Sequence, residues 1–204
     1  MSERPAIDLT ILIPAAGASS RMRGADKLLA AINGLPLLRR TAQIALSAHP
    51  KVCITLGPQD QARRDALHGL TVTLINVPDA NLGLSASLRR GAAAADPGGL
   101  LVLPADMPDL SSADLTKIIN AATQAPFAII RATGADGTPG HPVIFPSDLV
   151  SAFANLKGDE GARSILQAHK SRVRLFALPG QNALTDLDTP EAWAAWRLAQ
   201  NDQS

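Results

Sequence analysis

The stretch Leu9-Thr10-Ile11-Leu12-Ile13-Pro14-Ala15-Ala16-Gly17-Ala18-Ser19-Ser20-Arg21-Met22-Arg23-Gly24-Ala25-Asp26-Lys27 decides the fold. Its first five residues form a short apolar run, which predicts a strand covered on both faces as in a parallel sheet. Pro14 ends the run, and the small residues after it let the backbone approach a ligand closely, with N–H groups able to converge on phosphate oxygens. Arg21 and Lys27 add the charge that a polyphosphate needs neutralised. A loop at the carboxyl end of a first strand lies where open α/β sheets bind ligands. Read alone, the less favoured alternative is a turn of small residues with two solvated cations.

Outward from this stretch, strand-like runs alternate with helical ones. Val52 to Leu56, Val72 to Ile75, Leu100 to Leu103 and Phe127 to Ile130 read as strands, each bounded by Gly, Pro, Asp or Asn. Leu84, Leu88 and Ala92 stack at a helical spacing of four, with Arg89 and Arg90 turned away. Leu115, Ile118, Ile119 and Ala122 make one apolar stripe, opened by a capping box of Ser111 and Asp114. Thr189-Pro190-Glu191 has the grammar of a helix start. The order predicts an α/β fold, a Rossmann-like, doubly wound sheet. After Ile130 the pattern loosens: a loop from Thr133 to Gly140, a short strand at His141 to Phe145, helical pieces, and a strand at Val173 to Ala177. One domain over 1–204 is expected, with an active-site insertion at about 132–170.

Composition narrows the function. At 46% hydrophobic, 18% charged and a net charge of +1, the chain is an ordinary globular sequence with no general nucleic-acid or membrane electrostatics. It has no Tyr and four Phe, too few aromatics for a platform that stacks single-stranded nucleic acid. The lone Cys53 sits in an apolar run and suits a buried thiol, so no disulfide framework or multi-cysteine metal site is expected. No run approaches the ~18 apolar residues of a membrane span, and the N-terminus lacks secretory features. The cytoplasm is the expected compartment.

Further segments carry chemistry. Leu101-Val102-Leu103-Pro104-Ala105-Asp106 delivers a carboxylate beyond a buried strand, a suitable hard oxygen ligand for magnesium or a turn aspartate. Asp186 and Asp188 are two apart and could face one cleft, though Asp188 could also simply precede the Thr189 cap. Gly83, Ser85 and Ser87 open a helix and suit anion or ribose contacts or plain capping. A P-loop is excluded, since Leu28 follows Lys27, and the Gly-x-Gly-x-x-Gly fingerprint is absent.

Taken together, Ala15-Ala16-Gly17 with Ser19, Arg21-Met22 and Lys27-Leu28-Leu29 resembles the signature loop of the molybdenum cofactor nucleotidyltransferases. These share a mostly parallel, mixed sheet of the nucleotide-diphospho-sugar transferase type. The Asp106-Met107-Pro108, Leu187-Asp188-Thr189-Pro190, Gly83-Leu84-Ser85-Ala86-Ser87-Leu88-Arg89, Gly140-His141-Pro142 and Gly158-Asp159-Glu160-Gly161 segments continue the likeness in order. The resemblance implies that Ala15, Ala16, Gly17, Ser19, Gly83, Ser85 and Ser87 line the nucleotide. It implies that Arg21 and Lys27 hold the triphosphate, that Asp106 and Asp188 bind Mg²⁺, and that His141 and Asp159 lie near the acceptor. The implied reaction is transfer of CMP from CTP to molybdenum cofactor with release of pyrophosphate, with a molybdenum hydroxylase as the receiver of the product.

The cytidylyl branch is favoured by Ala15-Ala16-Gly17 in place of Ala-Gly-Gly, with the Ala16 methyl expected to close the base site to purines. The Arg21–Lys27 separation, one residue longer than that branch implies, points toward the guanylyl branch. A transferase for another phosphorylated acceptor, and a non-catalytic nucleotide-binding or cofactor-delivery protein, are the alternatives.

Overall fold

The computed structural model describes residues 8–17, 22, 25–95 and 98–201. In chain order the strands are β1 (Leu9–Pro14), β2 (Ala31–Ile32), β3 (Leu35–Pro36), β4 (Val52–Leu56), β5 (Thr73–Asn76), β6 (Gly99–Val102), β7 (Ile129–Thr133), β8 (Pro139–Phe145) and β9 (Val173–Ala177). The helices are α1 (Leu37–Ala48), α2 (Gln61–Ala66), α3 (Leu84–Ala94), α4 (Ser112–Gln124), α5 (Ser147–Val150), α6 (Arg163–Ala168) and α7 (Pro190–Asn201). The described residues form a seven-stranded sheet in the order β5-β4-β1-β6-β8-β7-β9 and a small β2–β3 hairpin. Within the sheet only β8 runs antiparallel to its neighbours. The doubly wound, mostly parallel α/β sheet is therefore present.

Alternation along the strands sorts the core into two layers, because successive side chains point to opposite faces. Leu9, Ile11 and Ile13 of β1 join Ile54, Leu101 and Ile144 under Leu38, Ala42 and Ala45 of α1 and Leu115, Ile118 and Ala122 of α4. Leu12 joins Cys53, Leu100, Val143 and Phe145 against Leu88 and Ala92 of α3, with Phe153 and Leu156 beyond them. Cys53 is buried in that layer. The close approach of α3 needs Gly91: a Cβ there would stand 2.3 Å from Leu12 Cδ1.

The α4 capping box forms, with Asp114 N–H donating to Ser111 Oγ at 3.2 Å and Ser111 N–H donating to Asp114 Oδ2 at 3.1 Å. Asn182 Nδ2 donates to the same carboxylate at 3.0 Å and ties the segment before α7 to α4. Thr189 caps α7 through the Ala192 N–H at 3.1 Å. On α7, Trp193 packs with Met22, Ile32, Leu37 and Leu187, so the tryptophan pair is core and not a stacking platform.

Some expectations shift. β5 begins at Thr73 and is an edge strand with Thr73 and Leu74 exposed, not covered on both faces. Phe127 is 75% exposed and lies in the turn before β7. Leu84 is exposed, and Arg89 does not turn away: it donates to Leu156 O at 2.7 Å and Ser85 Oγ at 3.2 Å. The 132–170 stretch supplies β8 to the interior of the same sheet. No helix among the described residues is long and apolar enough to cross a membrane.

Candidate functional site

The carboxyl edge of the parallel strands opens into a cleft of about 1120 Å³. Ala15 and Gly17 border it after β1, Gly83 and Ser87 at the start of α3, Asp106 after β6, Asp188 before α7, and Arg131 and His141 from β7 and β8. Lys27, Asn81, Asp159, Glu160 and Arg163 add to its polar lining. Loops after separate strands converge here because parallel strands end on the same side of the sheet.

At its floor the Lys27 ammonium donates to both Asp106 Oδ2 and Asp188 Oδ1. Burial works against the charge on Lys27, but the two carboxylates outweigh it and the net shift is upward from the ordinary lysine value. Leu187 N–H donates to Asp106 O at 3.1 Å, which fixes the Asp188 segment beside the loop after β6. Asp186 stands nearby, its carboxyl pushed up by partial burial and then by the charges of Asp188 and Asp106.

This cluster is rich in hard oxygen donors that already meet on one cation. Among the described residues no three His, Cys, Asp or Glu side chains form a metal cage. A pair of carboxylates is nevertheless the donor set magnesium uses when waters and substrate phosphates fill the rest of its octahedron. Asp106 and Asp188 suit that ion.

The first loop is held by a residue that the sequence did not single out. Arg63 of α2 is 4% exposed. Its Nε and Nη2 donate to Asp26 Oδ2 at 2.7 Å and Oδ1 at 3.0 Å, and its Nη1 donates to Ala15 O at 2.6 Å and Gly17 O at 2.9 Å. One guanidinium thus clasps both ends of the loop, and Asp26 also accepts from Leu28 N–H at 3.0 Å, just past Lys27. Nothing local to Arg63-Arg64 in the sequence marks one of the two as buried. Arg63→Ala is expected to lower stability by about 3 kcal/mol, because a buried pair loses one partner, and to lower Tm by about 9 °C. Arg63→Lys should recover only part of this, since an ammonium cannot reproduce the fork. Thermal unfolding of the two variants checks it, and an unchanged Tm in Arg63→Ala would show that the clasp contributes no stability.

The remaining expected residues divide. Ser19 and Arg21 lie outside the described residues. Ala16 does not line the cleft; it is buried in a cluster with Val77 and Ala86. The expected methyl wall against a purine is therefore not formed by Ala16, whose side chain is committed to packing beneath α3. Ser85 is likewise buried, its hydroxyl accepting from Arg89, whereas Ser87 lines the cleft. At the start of α3 the Leu84 N–H donates to Asp159 Oδ1 at 3.0 Å, and Ser85 N–H to Gly158 O at 3.0 Å. The helix terminus expected to meet a ligand anion is thus met by the protein's own carboxylate, favourably for the helix dipole. Gly83, at φ +96°, permits this: a Cβ there would stand 2.3 Å from Asp159 Oδ1.

His141 is largely buried within the cleft wall, and its Nδ1 has no hydrogen-bond partner among the described residues. Its pKa is pushed below the ordinary histidine value by burial and then by the Arg131 charge, with Asp106 opposing. The imidazole is therefore neutral near pH 7.

Comparisons with known proteins agree with this geometry. Residues 11–173 match the model of the MobA-like NTP transferase domain. The chain is 30% identical over 191 residues to a molybdenum cofactor guanylyltransferase of Pseudomonas paraeruginosa, covering 91% of this chain and 92% of that one. It is 34% identical over 104 residues to the purine catabolism protein PucB of Bacillus subtilis, a match spanning 50% of this chain and 49% of PucB. Crystal structures of Rv0371c from Mycobacterium tuberculosis superpose with TM-scores of 0.80 at 27% identity and, for a complex with manganese, 0.77 at 26%. The first covers 94% of this chain and 98% of Rv0371c, the second 92% and 97%.

Proposed function

Because the chain belongs to the MobA-like NTP transferase family, we propose that it transfers CMP from CTP to molybdenum cofactor and releases pyrophosphate. The observation that carries this reading is the meeting of Lys27 with Asp106 and Asp188 at the floor of the cleft below the first loop. Such a cluster offers phosphate-binding and metal-binding groups side by side, which a purely cofactor-carrying protein would not need.

Asp106 and Asp188 would hold Mg²⁺, which when bound supplies charge neutralisation for the triphosphate. The manganese complex of Rv0371c supports a divalent ion on this fold. The backbone of Ala15 and Gly17 gives the nucleotide a close approach, and Lys27, with Arg21 from earlier in the same segment, meets the phosphates. A phosphate oxygen of the acceptor forms the new bond to the α-phosphorus as the bond to the bridging oxygen breaks, and pyrophosphate leaves with that electron pair. The acceptor phosphate is already anionic, so no strong general base is required, and positioning with charge neutralisation is the main catalytic effect. His141, and Asp159 through its second oxygen, serve the acceptor side. A cytoplasmic enzyme handing its product to a molybdenum hydroxylase completes the proposal.

The guanylyltransferase relative favours a second reading, transfer of GMP from GTP. With Ala16 withdrawn into the packing, the cytidine reading rests on the Ser87 wall and on the Gly-His-Pro and Ser-x-Ser-Leu-Arg segments. CTP is expected to be used at least roughly tenfold better than GTP, a discrimination of about 1.4 kcal/mol. Competition of the two nucleotides for one preparation, scored by the cofactor product, decides between them. A preference for GTP would assign the chain to guanylyl transfer.

A further inference from the structure

The wall of the cleft formed by β7 and β8 carries a cation without an anion. Arg131 on β7 stands opposite Val143 on β8, and the register shifts between Arg131 and Thr133, where β8 passes through His141. Arg131, Val143 and His141 all face the cleft. Arg131 Nε donates to Gly140 O at 3.2 Å, and among the described residues no carboxylate meets its guanidinium. Burial alone draws its pKa down, with no acid opposing. Lys27 is engaged with Asp106 and Asp188 and Arg63 with Asp26, while Arg163 lines the cleft from α6 and not from the β7–β8 wall. Beside Arg131, the buried Nδ1 of His141 also lacks a partner. Partly buried charges and buried polar atoms are ordinarily paired, so a guanidinium met only by a backbone carbonyl, beside a histidine nitrogen with no partner among the described residues, indicates that a ligand brings the missing acceptor atoms.

We propose that Arg131 and His141 form an anion subsite for the phosphomonoester of the acceptor. The guanidinium fork takes two phosphate oxygens, the geometry for which arginine is suited, and His141, as the Nδ1–H tautomer, donates to an oxygen of the same group. The subsite shares the cleft with Asp106. A phosphate held there faces the cluster where the triphosphate binds, with an oxygen left to attack. The assignment of this anion to the acceptor rests on the nucleotidyl-transfer reading; the subsite itself does not.

The test titrates phenyl phosphate, with benzoate as a second anion, into full-length protein while the His141 imidazole resonances are followed by NMR. CTP with Mg²⁺ is titrated separately by calorimetry. Phenyl phosphate should move the His141 signals saturably and more tightly than benzoate. Its affinity should fall about tenfold or more in Arg131→Ala and less in Arg131→Lys, with CTP affinity unchanged in both. Arg131→Lys also keeps the charge, which guards the test against a variant that fails to fold. Equal binding of benzoate, no response at His141, or a parallel loss of CTP affinity in the Arg131 variants would each overturn the proposal. If phenyl phosphate seats at His141 but CTP does not bind the wild type, the subsite stands and the nucleotidyl-transfer reading fails.

Discussion

Asp106→Ala is expected to fold normally and to lose pyrophosphate release by about a thousandfold, as several kcal/mol of charge stabilisation at the reacting phosphates disappears. The fold should survive because Asp106 sits in the turn beyond β6 and contributes no core volume, while its backbone carbonyl still accepts from Leu187. Lys27 keeps Asp188 as a partner in the variant. Removing Asp106 also removes one of the charges that push the Asp186 carboxyl up, so that group should titrate closer to an ordinary aspartate, although its burial remains. Circular dichroism and a pyrophosphate assay over a range of Mg²⁺ read the two effects separately. Near-normal activity in a folded variant would sink the assignment of Asp106 to the metal.

Lys27→Ala should weaken CTP binding by about tenfold and slow turnover by about a hundredfold, or ~2.7 kcal/mol. In the free protein the ammonium donates to both Asp106 and Asp188. In the variant both carboxylates lose this shared partner. The loop backbone should persist, since Leu38 N–H donates to Leu28 O and Arg63 still clasps Asp26. Calorimetry with CTP and single-turnover kinetics give the two numbers. Unchanged kinetics would return the first loop to a solvated turn.

Much of the fold was legible because it is written locally. β1, β4 and β6 are mostly apolar runs, as suits strands covered on both faces, and the α4 box and the Thr189 cap follow from residue types at fixed offsets. The β2–β3 hairpin had a signal that was passed over: Asn33-Gly34, with φ of 51° and 79°, is a favoured pair for a tight hairpin turn. What escaped depends on neighbours distant in sequence. β5 has the residues of a core strand, but among the described residues no strand lies beyond it. Arg63 and Arg131 were not singled out in the sequence, because the partners that define them, Asp26 for one and the Gly140 carbonyl for the other, are brought by the fold. Ala16 and Ser85 showed the chemistry of a ligand wall, but the direction of their side chains is set by α3 and its neighbours. The convergence of Lys27, Asp106 and Asp188, separated by 79 and 161 residues, was accessible from sequence only through resemblance.

The reversed strand in the sheet has a consequence for how the molecule can change. Because β8 runs against β6, it starts where β6 finishes, and this brings His141 to the same rim as Ala15 and Asp106. Had it run with its neighbours, the Gly-His-Pro segment would emerge at the far rim, a full strand length from the phosphates. Chemistry is thereby concentrated on one rim, and the other is left to architecture. There Gly98 lies so close to Asp8 that a Cβ would stand 2.3 Å from its carbonyl oxygen, and Lys51 pairs with the Asp8 carboxylate at 2.9 Å. Variation at the far rim can alter how firmly the sheet is held without touching what is recognised, while loops on the near rim can diversify toward new acceptors on an unchanged frame. Durability and specificity are thus separately adjustable in this chain, and one strand's direction keeps them apart.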